Sequence, residues 1–220
     1  MSQMDRREGR VRQKRQNSVR EHLEENLGMY FFVLLIFTLG IIAGTLFTRF
    51  LTSEQVAELN QIFFNFFDYL TLQEPLNQAL IIRRSLLQHG IFLLVIWLSG
   101  SLFFGFLLAI GCIFYRGFSL GFTVGFLIQQ SALPGILFAL AAVVPQNIVY
   151  VPLTIVAGVF AISSSLVLLR SRVRRQSLPS GSFLMQYTVL VLLLGVCLLV
   201  GTLVETMITP VFMRAVASII

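Results

Sequence analysis

The chain has 220 residues, of which 56% are hydrophobic and only 12% charged, with a mean hydropathy of +0.85 and a formal net charge of +6. A soluble domain of this length has too little polar side chain to cover so much apolar surface, so the composition excludes a soluble globular fold. Long charge-free runs instead place the chain among all-α, polytopic membrane proteins.

In chain order, residues 1–27 form a basic tail that contains Arg6, Arg7, Arg10, Arg12, Lys14, Arg15 and Arg20. Its polarity leaves it unable to build a core. Within it, Ser18-Val-Arg-Glu21 resembles a capping box, and Val19, Leu23 and Leu27 share one helical face. That pattern predicts a short amphipathic helix under the membrane. A basic residue beside anionic lipid contributes about 1 kcal/mol. The lipid bilayer therefore accounts for the positive charge, and no nucleic-acid partner is required.

Residues 28–220 read as a domain of five transmembrane helices. The first span runs from Met29 to Phe47 and, lacking an A-x-A-like exit, reads as a retained signal anchor. An outer segment at 52–89 follows. Its Thr52-Ser-Glu-Gln55 is a second capping pattern, ahead of Val56, Leu59, Ile62, Phe63, Phe66, Phe67 and Leu70. Such an aromatic, amphipathic helix lies at the interface or docks a partner outside the membrane, with Phe63, Phe64, Phe66 and Phe67 as the candidate docking cluster. A further short helix, Leu76 to Gln88, leads into a second span from Gly90 to Phe114. The charge-free block from Gly117 to Leu169 holds roughly fifty residues, enough for two crossings. Breaks at Pro134-Gly135 and Pro145-Gln146-Asn147 mark the turn between them. The last span runs from Phe183 to Val204.

The basic residues set the direction. With the N-terminus in the cytoplasm, the tail, Arg116, Arg170, Arg172, Arg174 and Arg175 fall inside, and Arg49, Arg83, Arg84 and Arg214 fall outside. That is twelve against four, which predicts a cytoplasmic N-terminus and an external C-terminus.

Glycine is placed with unusual regularity. Gly117, Gly121 and Gly125 form a stripe with one residue per turn, and Gly40 with Gly44 offers a matching groove in span one. Ser101, Gly105 and Ala109 offer another groove in span two. In lipid, burying Leu against Leu gains nothing, so small residues that admit a close backbone mark helix-packing seams. The amides Gln129, Gln130 and Asn147 need hydrogen-bond partners at membrane depth. Between them, residues 135–144 either complete a span or re-enter the membrane partway. Broken helices of this kind occur in transporter sites, which raises a permease with a substrate path near 129–147 as an alternative function.

Gly117-Phe-Ser-Leu-Gly121 matches G-x-S-x-G, but a nucleophilic serine needs a base within reach. The two histidines are His22, in the tail, and His89, read at the outer edge of span two, about a membrane thickness from Ser119. Glu205 is read at the outer end of the last span, in reach of water. Cys112 and Cys197 lack His or Cys neighbours at ligand spacing and read as small buried hydrophobes. No metal, cofactor or catalytic motif is visible, and the sequence reads as a non-enzyme.

Several of these stretches carry a family resemblance. The basic tail, the Gly40-Ile-Ile-Ala-Gly44 span, the outer segment and Arg116-Gly-Phe-Ser-Leu-Gly-Phe-Thr-Val-Gly-Phe126 resemble the stage II sporulation protein M family. So does Pro145-Gln-Asn-Ile148, followed by Pro152. The resemblance covers essentially the whole chain, in motifs built of Gly, Phe and Pro. Many relatives carry Pro-His-Gly and a nearby Glu where this chain has Gln146 and Tyr150, and the uncharged version is nearer the sporulation branch. The resemblance implies a non-enzymatic membrane subunit of the engulfment machinery of endospore-forming bacteria. It implies as partners peptidoglycan hydrolases resembling stage II sporulation proteins D and P, held at the septum and the engulfing mother-cell membrane. It carries over no catalytic residue.

Overall fold

A computed structural model describes residues 27–71, 78–174 and 181–217. These residues are almost entirely helical, and no strand occurs among them. Helix α1 covers residues 27–47 and ends in a 3-10 turn, Thr48–Phe50. Helix α2 is Ser53–Thr71, α3 is Gln78–Ser101, and α4 is Gly105–Val173. Helix α5, Gly181–Leu203, passes through a π-helical turn, Val204–Ile208, into α6, Thr209–Ala217. The tail helix expected around Ser18 to Glu21, and Glu74 of the outer segment, lie outside the described residues.

Five stretches are long and apolar enough to cross a membrane: Leu27–Phe50, Ala79–Ser101, Gly105–Gln130, Ala139–Val173 and Gly181–Met213. The count is the expected one, but the boundaries differ. What read as a second span from Gly90 to Phe114 contains a tight turn at residues 102–104, and the helix expected from Leu76 to Gln88, whose first two residues lie outside the described ones, is from Ala79 on the first half of span two. A charge-free run marks where a helix could lie in lipid. It does not exclude a turn inside the run, nor a charge inside a span when partners compensate it.

Helix α4 supplies two spans because it folds back on itself. Ser165 meets Phe106, Gly158 lies against Ile113, and Leu127 clusters with Ala139, so its two arms run antiparallel. The reversal falls between Gln130 and Ala139, where Pro134 removes one ladder hydrogen bond and Gly135 relaxes the backbone. Residues 135–144 are helical, and from Ala139 on they belong to span four and not to a separate re-entrant piece. The break expected at Pro145-Gln146-Asn147 is absent, as the helix continues through it.

The turn between α3 and α4 is closed by a buried hydroxyl. Ser165 Oγ accepts from the Phe106 amide at 2.8 Å and donates to the Leu102 carbonyl at 2.8 Å. Both backbone groups belong to helix ends, where such groups otherwise lack partners, and no water reaches them in hydrocarbon. On the neighbouring face Tyr187 donates to the Ile96 carbonyl at 2.6 Å, with Gly100 under its ring. The core between the spans gathers Val33, Phe37, Ile96, Ile113, Val159 and Ile162. Around it, Leu34, Leu107, Leu192 and Val196 are exposed, as a lipid-facing surface requires.

The glycines lie where α1 crosses the first arm of α4. A Cβ on Gly40 would strike the Phe114 carbonyl, and one on Gly44 the Phe118 carbonyl. From the other side, Gly117 faces the Phe37 carbonyl, Gly121 the Ile41 carbonyl, and Gly125 the Thr45 Cα at 3.0 Å. Thr45 then donates to the Gly121 carbonyl at 3.0 Å, a bond that only such close backbones allow. The seam lies within one chain. Gly105 does something else: it begins α4 against the Ser99 backbone, shaping the tight turn, and faces no glycine groove.

Helix α2 opens with a reciprocal cap. The Gln55 amide donates to Thr52 Oγ1 at 3.3 Å, and the Thr52 amide donates to Gln55 Oε1 at 3.0 Å. It lies across the end of the bundle that carries the α4 reversal. Asn60 Nδ2 donates to Gln130 Oε1 at 3.0 Å, and Phe63 packs against the Leu127 and Ala139 cluster with Met213.

Candidate functional site: a charged cluster between the spans

Four spans place polar side chains in one cavity. Span two contributes Gln88 and His89, with Ser85 one turn earlier on the same helical face and bonded to Glu205. The first arm of α4 contributes Arg116, Ser119 and Thr123, and its second arm contributes Gln146, Asn147 and Tyr150, again at helical spacing. Glu205 enters from the last span. The cavity measures ≈ 140 Å³.

This overturns four expectations at once. His89 is not at an outer edge but about ten residues into its span, near 15 Å of helix from Ala79. Arg116 is not in a cytoplasmic loop but near the middle of span three. Glu205 is not at the end of the last span but eight residues before Met213, held among Ser85, Tyr150 and His89. Ser119 and His89, expected a membrane thickness apart, line the same cavity. The site is charged, although Gln146 and Tyr150 made it read as uncharged.

Glu205 is the hub. Its Oε2 accepts from Ser85 Oγ at 2.5 Å and from Tyr150 Oη at 2.8 Å, and lies 3.7 Å from His89 Nε2. A carboxylate in hydrocarbon costs about 2.5–3.5 kcal/mol on insertion scales, and donors of this kind offset that cost. The backbone helps to aim it. Pro210 has no amide hydrogen, and the turn just before it, Val204–Ile208, relaxes to π geometry and holds Glu205. π-turns inside α-helices recur at functional sites.

Arg116 lies on the other side of the imidazole. Its Nη2 is 3.1 Å from His89 Nδ1. A guanidinium only donates, so Nδ1 accepts and the neutral ring carries its proton on Nε2, toward Glu205. Arg116 also lies over the Phe92 ring at 5.5 Å and the Tyr150 ring at 5.7 Å from their centroids. The His89 and Tyr150 rings are 4.0 Å apart, and a Cβ on Gly201 would meet the Tyr150 ring. Gly201 thus lets the last span approach closely enough to deliver Glu205.

The remaining sequence candidates are placed as follows. Gln130 is spent on Asn60, and Asn147 Nδ2 bonds the Val143 carbonyl of its own helix at 2.7 Å, while Gln129 faces outward. Phe64 is 56% exposed beside Phe63, which is partly buried, and the side chains of Phe66 and Phe67 lie outside the described residues. Ser119 sits on a continuous helix between glycines that pack on α1, not on a strand-to-helix elbow, and both His89 nitrogens face other groups. Among the described residues no group of three or more His, Cys, Asp or Glu side chains converges as a metal site, and Cys112 and Cys197 are free thiols.

Sequence reasoning missed Arg116, His89 and Glu205 as a unit. The available signal was the polar spacing itself, Ser85-Gln88-His89 and Arg116-Ser119-Thr123, each drawing a polar stripe on one face of a span. Intramembrane ionisable residues that face one another mark a functional site by default.

No curated protein and no solved structure matches the chain. The family model of Stage II sporulation protein M matches it over residues 33–210, about four-fifths of its length, and that range includes the glycine seam and every member of the charged cluster. The chain therefore belongs to the Stage II sporulation protein M family, and it is a sporulation-related membrane protein.

Proposed function

We propose that the protein is a non-enzymatic subunit that localises and assembles the peptidoglycan-degrading engulfment machinery during endospore formation. Family membership over residues 33–210 is the observation that carries this reading. In it, the partners are hydrolases resembling stage II sporulation proteins D and P, met at the septum and the engulfing mother-cell membrane. The spans form the platform, and α2 presents Ile62 and Phe64, 67% and 56% exposed, at one end of it. Changing both to serine is expected to abolish co-purification of the hydrolases from sporulating cells while the protein stays in the membrane at its normal level. Retained co-purification would remove the docking role from α2.

The reading needs α2 outside. Counting only the basic residues outside the five spans, the seven of the tail with Arg174 and Arg175 make nine against Arg214 alone, in favour of a cytoplasmic N-terminus. Reporter fusions at Met1 and Ile220 are expected to report the cytoplasm and the exterior, respectively. Both ends in one compartment would refute the orientation.

The cavity supports a second reading, a permease or permease subunit, since Gln146 and Asn147 of the 129–147 stretch line a polar space between spans. The same co-purification discriminates. Wall hydrolases support assembly, and a cytosolic ATPase supports the permease.

A further inference from the structure

We propose that the cavity beside Arg116 binds a small oxyanion, a carboxylate or phosphate group, with Arg116 as its counter-ion. A guanidinium carries five donors. Arg116 directs one of them to His89 Nδ1 and lies over two rings. Among the described residues no carboxylate pairs with it, and Glu205 lies on the far side of the imidazole, 3.7 Å from His89 Nε2. Glu205 makes no direct ion pair with Arg116; its contacts to Ser85, Tyr150 and His89 all fall on Oε2, with the imidazole between the two charges. The rest of the guanidinium faces the cavity. There the side chains of Gln88, Ser119 and Gln146 make no hydrogen bond among the described residues. A cation with spare donors in a membrane interior attracts an anion much more strongly than it would in water, and the one carboxylate lining the cavity, Glu205, is engaged by Ser85 and Tyr150.

The size of the space narrows the choice. One water needs roughly 10–15 Å³ of comparable space, so ≈ 140 Å³ admits a phosphate or a short carboxylic acid, free or as the end of a larger molecule. The planar fork of Arg matches either oxyanion with two parallel bonds. Binding requires neither recruitment of hydrolases nor transport, so it stands or falls apart from both readings above.

The test uses the full chain in nanodiscs. One arm holds phosphatidylcholine alone and titrates inorganic phosphate, then acetate, at constant ionic strength. The other omits free oxyanion and adds phosphatidylglycerol. The thermal unfolding midpoint is read in both. A saturable rise in the first arm supports a soluble ligand, and a rise confined to the second supports a lipid headgroup. In either case Arg116→Gln is expected to weaken binding at least tenfold. Gln146→Leu, which keeps the charge but removes a polar partner from the cavity wall, is expected to weaken it several-fold and decides the matter should Arg116→Gln not fold. No saturable rise in either arm overturns the proposal, as does a rise that the variants leave unchanged.

Discussion

Replacing Glu205 with alanine is expected to destabilise the protein by about 3–5 kcal/mol, the usual cost of removing one partner from a buried charged network. The loss exceeds that of the hydrogen bonds alone. Ser85 and Tyr150 would be left with only their long 3.4 Å contact to each other, and His89 and Arg116 would face the cavity with no negative charge nearby. Glu205→Gln keeps an acceptor for both hydroxyls and is expected to cost less, about 1.5–3 kcal/mol for the charged part of those bonds. Combining Glu205→Leu with Arg116→Leu should recover much of the alanine loss, because both charges leave the membrane interior together. Unfolding of all the variants in one detergent, arranged as a double-mutant cycle, measures this. A Glu205→Ala protein within about 1 kcal/mol of the parent would mean that the cluster carries no net interaction.

The second large effect is at the glycine seam. Gly121→Ala is expected to cost about 1–3 kcal/mol, and Gly121→Leu more, because the added carbon meets the Ile41 backbone, which cannot rotate away. Moving α1 outward would also stretch the bond from Thr45 to the Gly121 carbonyl. Gly111→Ala is the control. Gly111 lies in the same helix with nothing within 4 Å of an added Cβ, so alanine there is expected to gain up to about 1 kcal/mol of helix propensity. Thermal midpoints of the pair should therefore move in opposite directions. Equal shifts would show that helix propensity, not packing, sets the role of these glycines.

The two sites differ in how far the sequence revealed them. The seam residues Gly40, Gly44, Gly117, Gly121 and Gly125 repeat with the period of a helix, and lipid makes small residues the grammar of close packing. Their pattern is local to each segment, so it can be read without knowing which helices meet. The charged cluster is not local. Its members come from residues 85–89, 116, 150 and 205, and each taken alone looked like a span boundary or a water-facing end.

The misplacement had one origin. Reading a charge as the edge of a span put His89 and Arg116 outside the membrane and pushed span two about a dozen residues along the chain. The tight turn at residues 102–104 was hidden inside an apolar run because its backbone groups are satisfied by Ser165, about sixty residues later, and not by local polar side chains. The departure at Gln146 and Tyr150 was visible, but its meaning was not. Both positions line the cavity, and the charges are supplied from other helices.

By itself, then, the amino-acid sequence determined the helical membrane class, the five crossings and the glycine faces, since these follow from run length, hydropathy and period within single segments. Only the tertiary structure decided that Arg116, His89, Tyr150 and Glu205 share one cavity. A charge is admissible inside a span when partners lie against it, and partners drawn from four separate spans have no relation that spacing along the chain can express.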